Sequence, residues 1–262
     1  MTPATVTPQI VRAFLTAETE SNSASTAAHS YVSLRAFFNF LVRDGFVAVN
    51  PADSVDKPRQ RRKIIETFSL DDVERMVATC GKDFVGVRDR AMILAMLDCG
   101  LRASELCGLS INDVNWAEQT LLVVGKGDKE RIVPFGNVTR QALAEYVPRR
   151  GQLETQMLFV SIYGAPLDRY RVRTMVKERC ETAGIKGPRC SPHTLRHTCA
   201  VQYLRNGGDV FSLQKLLGHA DLTMTRRYAE LSQTDVREKH RACSPADRLQ
   251  ATASRSARRK LR

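Results

Sequence analysis

The stretch of sequence that decides the fold is Ser191-Pro192-His193-Thr194-Leu195-Arg196-His197. A serine followed by a proline is typical of the N-cap and first position of an α-helix. We therefore expect a helix that begins here and runs to residue 206, before the pair of glycines at 207 and 208. His193 and Arg196 are three residues apart, which puts an imidazole and a guanidinium on one face of that helix. They are the first candidates for a functional site.

The histidines of this stretch also have a spacing that metal ligands use. His193 and His197 are four residues apart, but Thr194 stands where the zinc-protease pattern has glutamate, and no third ligand is evident nearby. We therefore predict no metal site. His197 is expected to support the helix or the site and is left out of the catalytic set.

Four further candidates lie outside this helix. They are Arg102, which follows Gly100-Leu101, Lys126 on a predicted hairpin tip, His219, which follows Leu216-Leu217-Gly218, and Tyr228, nine residues beyond His219. Taken singly, each has an ordinary explanation as a helix-end ion pair, a turn lysine, a structural histidine or a core tyrosine. Lys129 lies on the same turn as Lys126, so the sequence alone leaves open which lysine serves the site.

Hydrophobic periodicity and helix-end signals predict a mainly α fold with a small antiparallel β-sheet, an α+β class. Helices are expected over 8–17, 24–43, 89–98, 138–147, 169–183, 191–206, 209–217 and 222–231, and another begins after Ser69. The β-prone runs 121–124 and 131–133 flank a polar turn with glycines and predict a hairpin. In the second helix, one apolar stripe is expected to hold Val32, Leu34, Phe37, Phe38, Phe40 and Leu41.

Charge and turn signals divide the chain into four parts. Residues 1–56 are expected to form a small helical domain, and 57–66 a basic linker with five cations in the seven residues 57–63. The larger domain is expected over 67–245, followed by a basic, disordered tail over 246–262.

The composition points to a polyanionic partner. The 262 residues carry a formal net charge of +12, which favours nucleic acid. The seven cysteines form no C-x-x-C pair and suit a reduced protein better than a disulfide framework. The sequence lacks both the pattern of a signal peptide and an apolar run of the about 18 residues that span a membrane. We expect a cytoplasmic, nucleoid-associated protein.

Five separated blocks together resemble the signature blocks of the tyrosine recombinase (phage integrase) family. They are Gly100-Leu101-Arg102-Ala103-Ser104-Glu105-Leu106, then Gly125-Lys126-Gly127-Asp128-Lys129-Glu130-Arg131-Ile132-Val133-Pro134, then Ser191 to His197, then Leu216-Leu217-Gly218-His219, and finally Tyr228. The closest similarity is to the Xer-like and transposon-integrase branch. The resemblance covers about Thr67 to Leu231 closely and the N-terminal region loosely.

The resemblance implies a reaction and a role for each residue. Tyr228 would attack a DNA phosphodiester and hold the strand as a 3′-phosphotyrosine, and Arg102 and Arg196 would bind the phosphate oxygens. Lys126 would be the general acid, and its distance along the chain from Arg102 favours it over Lys129. His193 would be a general base or phosphate contact, and His219 would hydrogen-bond the phosphate. The reaction would need no metal, no cofactor and no ATP.

The resemblance also implies how the protein meets DNA. The partner would be double-stranded DNA with inverted-repeat target sites, enclosed in a C-shaped clamp of two domains and bound by a homo-tetramer. A helix over 235–243 would link neighbouring subunits, and the short N-terminal region, residues 1–56, would be a DNA-binding domain that lacks a first helix. The residues expected to contact DNA are Arg35, Arg59, Arg61, Arg62, Lys63, Lys129 and Arg131, although Arg131 also suits a contact with backbone or acidic groups.

Two other functions remain to be distinguished. A type IB topoisomerase would use the same chemistry to relax supercoils without recombination. A non-catalytic DNA-binding regulator would have no need of Tyr228.

Overall fold

A computed structural model of the protein describes residues 2–59, 65–125, 127–218 and 223–232, with only the backbone at 223, 224 and 230–232. The chain divides into two compact units, Met1–Ile64 and Ile65–Arg262. The expected linker at 57–66 includes residues 60–64, which lie outside the described residues, as do the expected helix at 235–243 and the tail at 246–262.

The first unit is built on two helices, α1 (Pro8–Ser21) and α2 (Ala24–Arg43), which pack against each other. Thr7 and Ser23 cap them by accepting hydrogen bonds from Ile10 and Thr26 backbone N–H groups. The expected single stripe on α2 is wrong: Phe38 is buried, whereas Val32 and Phe37 are half exposed. The small core formed by Val11, Leu15, Tyr31, Ala52 and Val55 covers only part of the apolar surface of α2.

The second unit holds eight described α-helices. They are α3 (Leu70–Ala78), α4 (Phe84–Cys99), α5 (Ala103–Gly108), α6 (Asn137–Arg150), α7 (Arg169–Thr182), α8 (Pro192–Arg205), α9 (Val210–Leu217) and α10 (Thr223–Ser232). Ser69 and Asp72 form the reciprocal capping box that starts α3. Ser191 caps α8 and Pro192 occupies its first turn, as predicted.

Three strands, β1 (Val114–Asn115), β2 (Thr120–Val124) and β3 (Glu130–Pro134), form an antiparallel sheet in the order β1-β2-β3. Val133 of β3 lies opposite Leu121, and both are buried. Arg131 is two residues from Val133, so it lies on the same face of β3, while Ile132 faces outward and is 70% exposed. The fold is therefore mostly helical with a small antiparallel sheet, as expected.

The core of this unit centres on α4, which packs against α6 and α8. Gly100 ends α4 in the left-handed conformation, with φ 60°. A Cβ at this position would lie 2.5 Å from Leu217 Cδ2, and the left-handed backbone favours glycine, so Gly100 suits the close approach of the ends of α4 and α9. This contact brings together the segments that carry Arg102, Arg196 and Arg131. Within the described ranges, no helix combines the length and apolar character that a membrane crossing requires.

Candidate active site

Arg102 and Glu105 form the first part of the site. Arg102 stands just before the first turn of α5, and its backbone N–H donates to Glu105 Oε2 at 2.8 Å. The Arg102 guanidinium also donates, from Nη1 to Glu105 Oε1 at 2.6 Å. The Arg102 side chain remains 35% exposed, whereas that of Glu105 is 3% exposed. Arg102 therefore has N–H donors available at the surface, while the buried carboxylate of Glu105 holds its guanidinium in place.

Arg131 binds the same carboxylate from β3. Its Nη1 and Nη2 donate to Glu105 Oε1 and Oε2 at 2.9 and 2.8 Å, a bidentate pair. Its Nε donates to the Leu216 carbonyl at 3.0 Å. This carbonyl belongs to the last turn of α9. Arg131 on β3 therefore links the sheet to α5, through Glu105, and to α9. The backbone and acidic contacts expected for Arg131 are present, and its contact with DNA stays a prediction.

Arg196 reaches the site from α8 and is almost fully buried. Its Nη1 donates to the Gly100 carbonyl, and its Nη2 donates to the Leu217 carbonyl at 2.6 Å. The same Nη1 lies 3.7 Å from Glu105 Oε2. Burial, together with the charges of Arg102 and Arg131, lowers the pKa of Arg196 to about 10, against the opposing effect of Glu105. The guanidinium therefore stays charged at neutral pH.

One carboxylate thus faces three guanidinium groups. Burial acts to raise the pKa of Glu105, but hydrogen bonds from Arg131 and Arg102 outweigh it and lower the pKa to about 2. Glu105 is consequently ionised at neutral pH, and the cluster of Arg102, Arg131, Arg196 and Glu105 has a net charge of +2. We call these four residues the arginine cluster. Such an excess of fixed positive charge is suited to an anion.

His193 lies beside the arginine cluster, exposed on the first turn of α8. Its pKa is lowered by partial burial and then by the charges of Arg196, Arg102 and Arg189. The positive end of the helix dipole acts in the same direction. His193 is therefore largely neutral at pH 7, with one ring nitrogen able to accept a proton.

Tyr228 lies on α10, which packs on α8, and is 1% exposed. Its hydroxyl oxygen is 2.7 Å from Nδ1 of His197. Burial raises the pKa of Tyr228, while Arg196, Arg227 and Arg102 partly oppose that rise. The phenol is therefore protonated and enclosed in this state, although the field of the arginine cluster reaches it.

The structure describes some of the other predicted residues and leaves the rest outside its described ranges. Lys126 and His219 lie outside the described residues, as do Arg61, Arg62 and Lys63, so the choice between Lys126 and Lys129 stays open. Lys129 and Arg59 are exposed. Arg35 forms an exposed ion pair with Asp53, at 3.0 Å from Nε to Oδ1.

In the sequence analysis, Glu105 had no assigned role and His197 had only a supporting one. Glu105 could have been noticed as an acid three residues after Arg102 on a short apolar helix, a spacing that favours ion pairing. His197 could be placed on α8, but its partner on α10 depends on tertiary packing. Within the parts of the chain that are described, no three His, Cys, Asp or Glu side chains come together as metal ligands would.

Comparison with known proteins agrees with this geometry. Residues 66–235 match the model of the phage integrase family. The tyrosine recombinase XerD of Listeria monocytogenes serotype 4b (strain F2365) is 33% identical over 236 residues, covering 87% of this chain and 79% of that protein. XerD of Staphylococcus aureus (strain N315) is 34% identical over 232 residues, covering 86% and 78%.

Solved structures are similar as well. XerA recombinase superposes with a TM-score of 0.60 at 27% identity, covering 94% of this chain and 86% of that one. XerH site-specific recombinase, bound to its palindromic difH substrate in a post-cleavage complex, gives 0.78 at 21% identity, covering 94% and 74%, and supports the fold. The chain belongs to the phage integrase family and is a tyrosine recombinase, an enzyme of site-specific DNA breakage and rejoining.

Proposed function

We propose that this recombinase cuts DNA with Tyr228 and stabilises the reacting phosphate with Arg102 and Arg196. The observation that carries the proposal is the net charge of +2 on the arginine cluster, which adjoins the helix that holds Tyr228. A phosphodiester under attack gains negative charge on its non-bridging oxygens. Guanidinium groups can bind two of those oxygens at once, and the ion pairs with Glu105 hold them in a fixed arrangement.

The chemical step exchanges one phosphoester for another. The Tyr228 oxygen forms a bond to phosphorus, the bond from phosphorus to the 5′-oxygen breaks, and the strand remains as a 3′-phosphotyrosine. The phenol loses a proton, for which neutral His193 is the candidate acceptor, and the leaving 5′-oxygen gains one, for which Lys126 is the candidate donor. His219 completes the proposed set as a phosphate contact. Because one phosphodiester replaces another, rejoining needs no ATP.

The proposed partner is double-stranded DNA with inverted-repeat sites, bound by four copies of this chain. The net charge of +12 supports a DNA partner. The XerH relative was solved on a palindromic substrate, which supports symmetric target sites here. We assign DNA binding to residues 1–56 and the linker 57–66, with Arg35, Arg59, Arg61, Arg62, Lys63, Lys129 and Arg131 as contacts, and we place the protein in the cytoplasm with the nucleoid.

A trapping experiment tests the proposal directly. The protein is incubated with nicked duplexes that carry randomised inverted-repeat arms, and with fragments that flank its own gene. A nick beside the cleavage point releases the 5′-hydroxyl fragment and prevents rejoining. We expect a complex that survives denaturation, with the nucleotide on the tryptic segment 228–237, which begins at Tyr228. The proposal is contradicted if no covalent complex forms on either set of DNA, or if the nucleotide is attached to another segment of the chain.

Two marked sites on one plasmid distinguish recombination from relaxation. We expect recombinant products in which the DNA between the sites is excised or inverted. Relaxed plasmid without recombinants would identify a topoisomerase, and binding without any covalent complex would identify a regulator.

The pKa of His193 gives a prediction for the pH profile. The neutral ring accepts a proton, and because its pKa lies below 6.5, the neutral form persists as the pH falls toward that value. The second-order rate of covalent complex formation should therefore stay level from pH 8 to about 6.5 and decline only below it. His193→Gln should lower the rate by about 10²-fold and remove this decline. A decline already present between pH 8 and 7 would contradict the role of His193 as the base.

A further inference from the structure

His197 and Tyr228 form a direct contact between α8 and α10. The hydroxyl of Tyr228 and Nδ1 of His197 are 2.7 Å apart, and the ring centroids are 5.6 Å apart at an angle of 48°. His197 directly follows Arg196 on α8, so the residue next to the arginine cluster contacts the tyrosine oxygen.

The protonation states and the imidazole tautomer together set the direction of this hydrogen bond. Burial, followed by the charges of His193, Arg196 and Arg227, lowers the pKa of His197 to about 4. Burial raises the pKa of Tyr228. Both side chains are therefore neutral at pH 7, and a neutral imidazole accepts at one ring nitrogen and donates from the other. A phenol is a stronger hydrogen-bond donor than a neutral imidazole N–H, so the favoured arrangement has the phenol donating to Nδ1 and the imidazole proton on Nε2.

In this geometry the tyrosine is not placed to attack a phosphate. The pKa of His197, about 4, lies far below that of a phenol, so the proton stays on Tyr228 while the two groups are in contact. A tyrosine that is 1% exposed is also inaccessible to a DNA phosphate. The contact therefore stabilises the form of Tyr228 that cannot attack.

We propose that His197 is a positioning residue that holds Tyr228 protonated and buried in the DNA-free protein. When Tyr228 moves to the phosphate, its hydroxyl gives up the bond to His197 Nδ1. This inference rests on the proposed function, because it assumes that Tyr228 is the nucleophile. In this role His197 holds Tyr228 before the reaction and takes no part in the chemical step.

Three substitutions separate the hydrogen bond from the shape of the side chain. His197→Asn places an amide close to the position of Nδ1 and can keep the bond. His197→Gln places its amide nearer the position of Nε2, and His197→Phe keeps a ring without an acceptor. The first readout is nitration of Tyr228 by tetranitromethane in the DNA-free protein, measured on the tryptic segment 228–237, which contains one tyrosine.

We expect the Gln and Phe variants to be nitrated at Tyr228 about fivefold faster than the wild type, the change in population that one neutral hydrogen bond supports. The Asn variant should stay close to the wild type. On saturating nicked DNA, the Gln and Phe variants should form the covalent complex at least as fast as the wild type. Unchanged nitration in both variants, or a tenfold slower covalent step in both, would overturn the proposal.

A second measurement needs only the folded wild-type protein. With ¹⁵N-labelled histidine, NMR should show the His197 proton on Nε2 in the DNA-free state, and the Nδ1 resonance should shift when the covalent complex forms. A proton on Nδ1 in the DNA-free protein would overturn the proposal. Neither nitration nor the spectrum of the DNA-free protein depends on cleavage, so a wild type that traps no DNA would refute the proposed function separately.

Discussion

Tyr228→Phe is expected to abolish the covalent complex with DNA while leaving the protein folded and able to bind DNA. Phenylalanine has the same ring but no oxygen with which to form the phosphoester. Loss of a covalent nucleophile should lower the rate by at least about 10⁴-fold. The measurement is the yield of denaturant-resistant complex on nicked DNA, together with binding measured on the uncleaved duplex.

The stability of this variant should change little by comparison. The substitution removes the hydroxyl that contacts the part-buried Nδ1 of His197, a loss of about 1 kcal/mol in the free energy of unfolding. Tyr146→Phe is the matched control, because Tyr146 is fully buried and its hydroxyl accepts the Val160 N–H at 3.2 Å. Tyr146→Phe should lose a similar amount of stability and keep cleavage. Residual covalent complex in Tyr228→Phe would show that another residue is the nucleophile.

The local elements were predictable because their signals lie within a few residues. Ser191 and Pro192 mark the start of α8, and Gly100 marks the end of α4. The alternation along β3 could also have indicated the inward side chain of Arg131, since Val133 two residues away is buried. The single stripe expected on α2 failed because the amount of apolar surface that is covered depends on how many elements pack against a helix.

The partners of the site residues could not be predicted in the same way. Arg196 binds the carbonyl groups of Gly100 and Leu217, which are far from it in sequence. The contact between His197 and Tyr228 depends on the angle at which α10 crosses α8. Residue spacing along one helix specifies a shared face, but it does not specify which residue of another helix meets that face.

Glu105→Gln is expected to cause the largest loss of stability among substitutions in the site. Glutamine keeps the shape of the side chain but leaves Arg102, Arg131 and Arg196 without their buried counter-charge. We expect the free energy of unfolding to fall by roughly 3 kcal/mol at neutral pH. Because Arg102 and Arg196 lose the group that orients them, the rate of covalent complex formation should fall by about 10²-fold.

The pH dependence of stability offers an independent check on Glu105. Its pKa is about 2 in the folded protein, below its ordinary value of 4.5. The stability that it contributes is therefore fully present above pH 4.5 and is lost as the pH falls toward 2. Urea unfolding of Glu105→Gln between these limits should show a weaker dependence on pH than the wild type. An equal dependence in both proteins would contradict the ionised state of Glu105.

Asp89→Asn separates general destabilisation from damage to the site. The Asp89 carboxylate is also buried between two arginines, with Oδ1 2.8 Å from Arg88 Nη2 and Oδ2 2.7 Å from Arg179 Nη2. Loss of this carboxylate charge should also lower the free energy of unfolding by roughly 3 kcal/mol. None of these three residues belongs to the arginine cluster. The cleavage rate of folded Asp89→Asn should therefore remain within about threefold of the wild type, which is less than a change of about 1 kcal/mol in the activation free energy would cause. If Asp89→Asn and Glu105→Gln slow cleavage equally, the effect of Glu105 reflects stability alone, and its assigned part in orienting Arg102 and Arg196 is wrong.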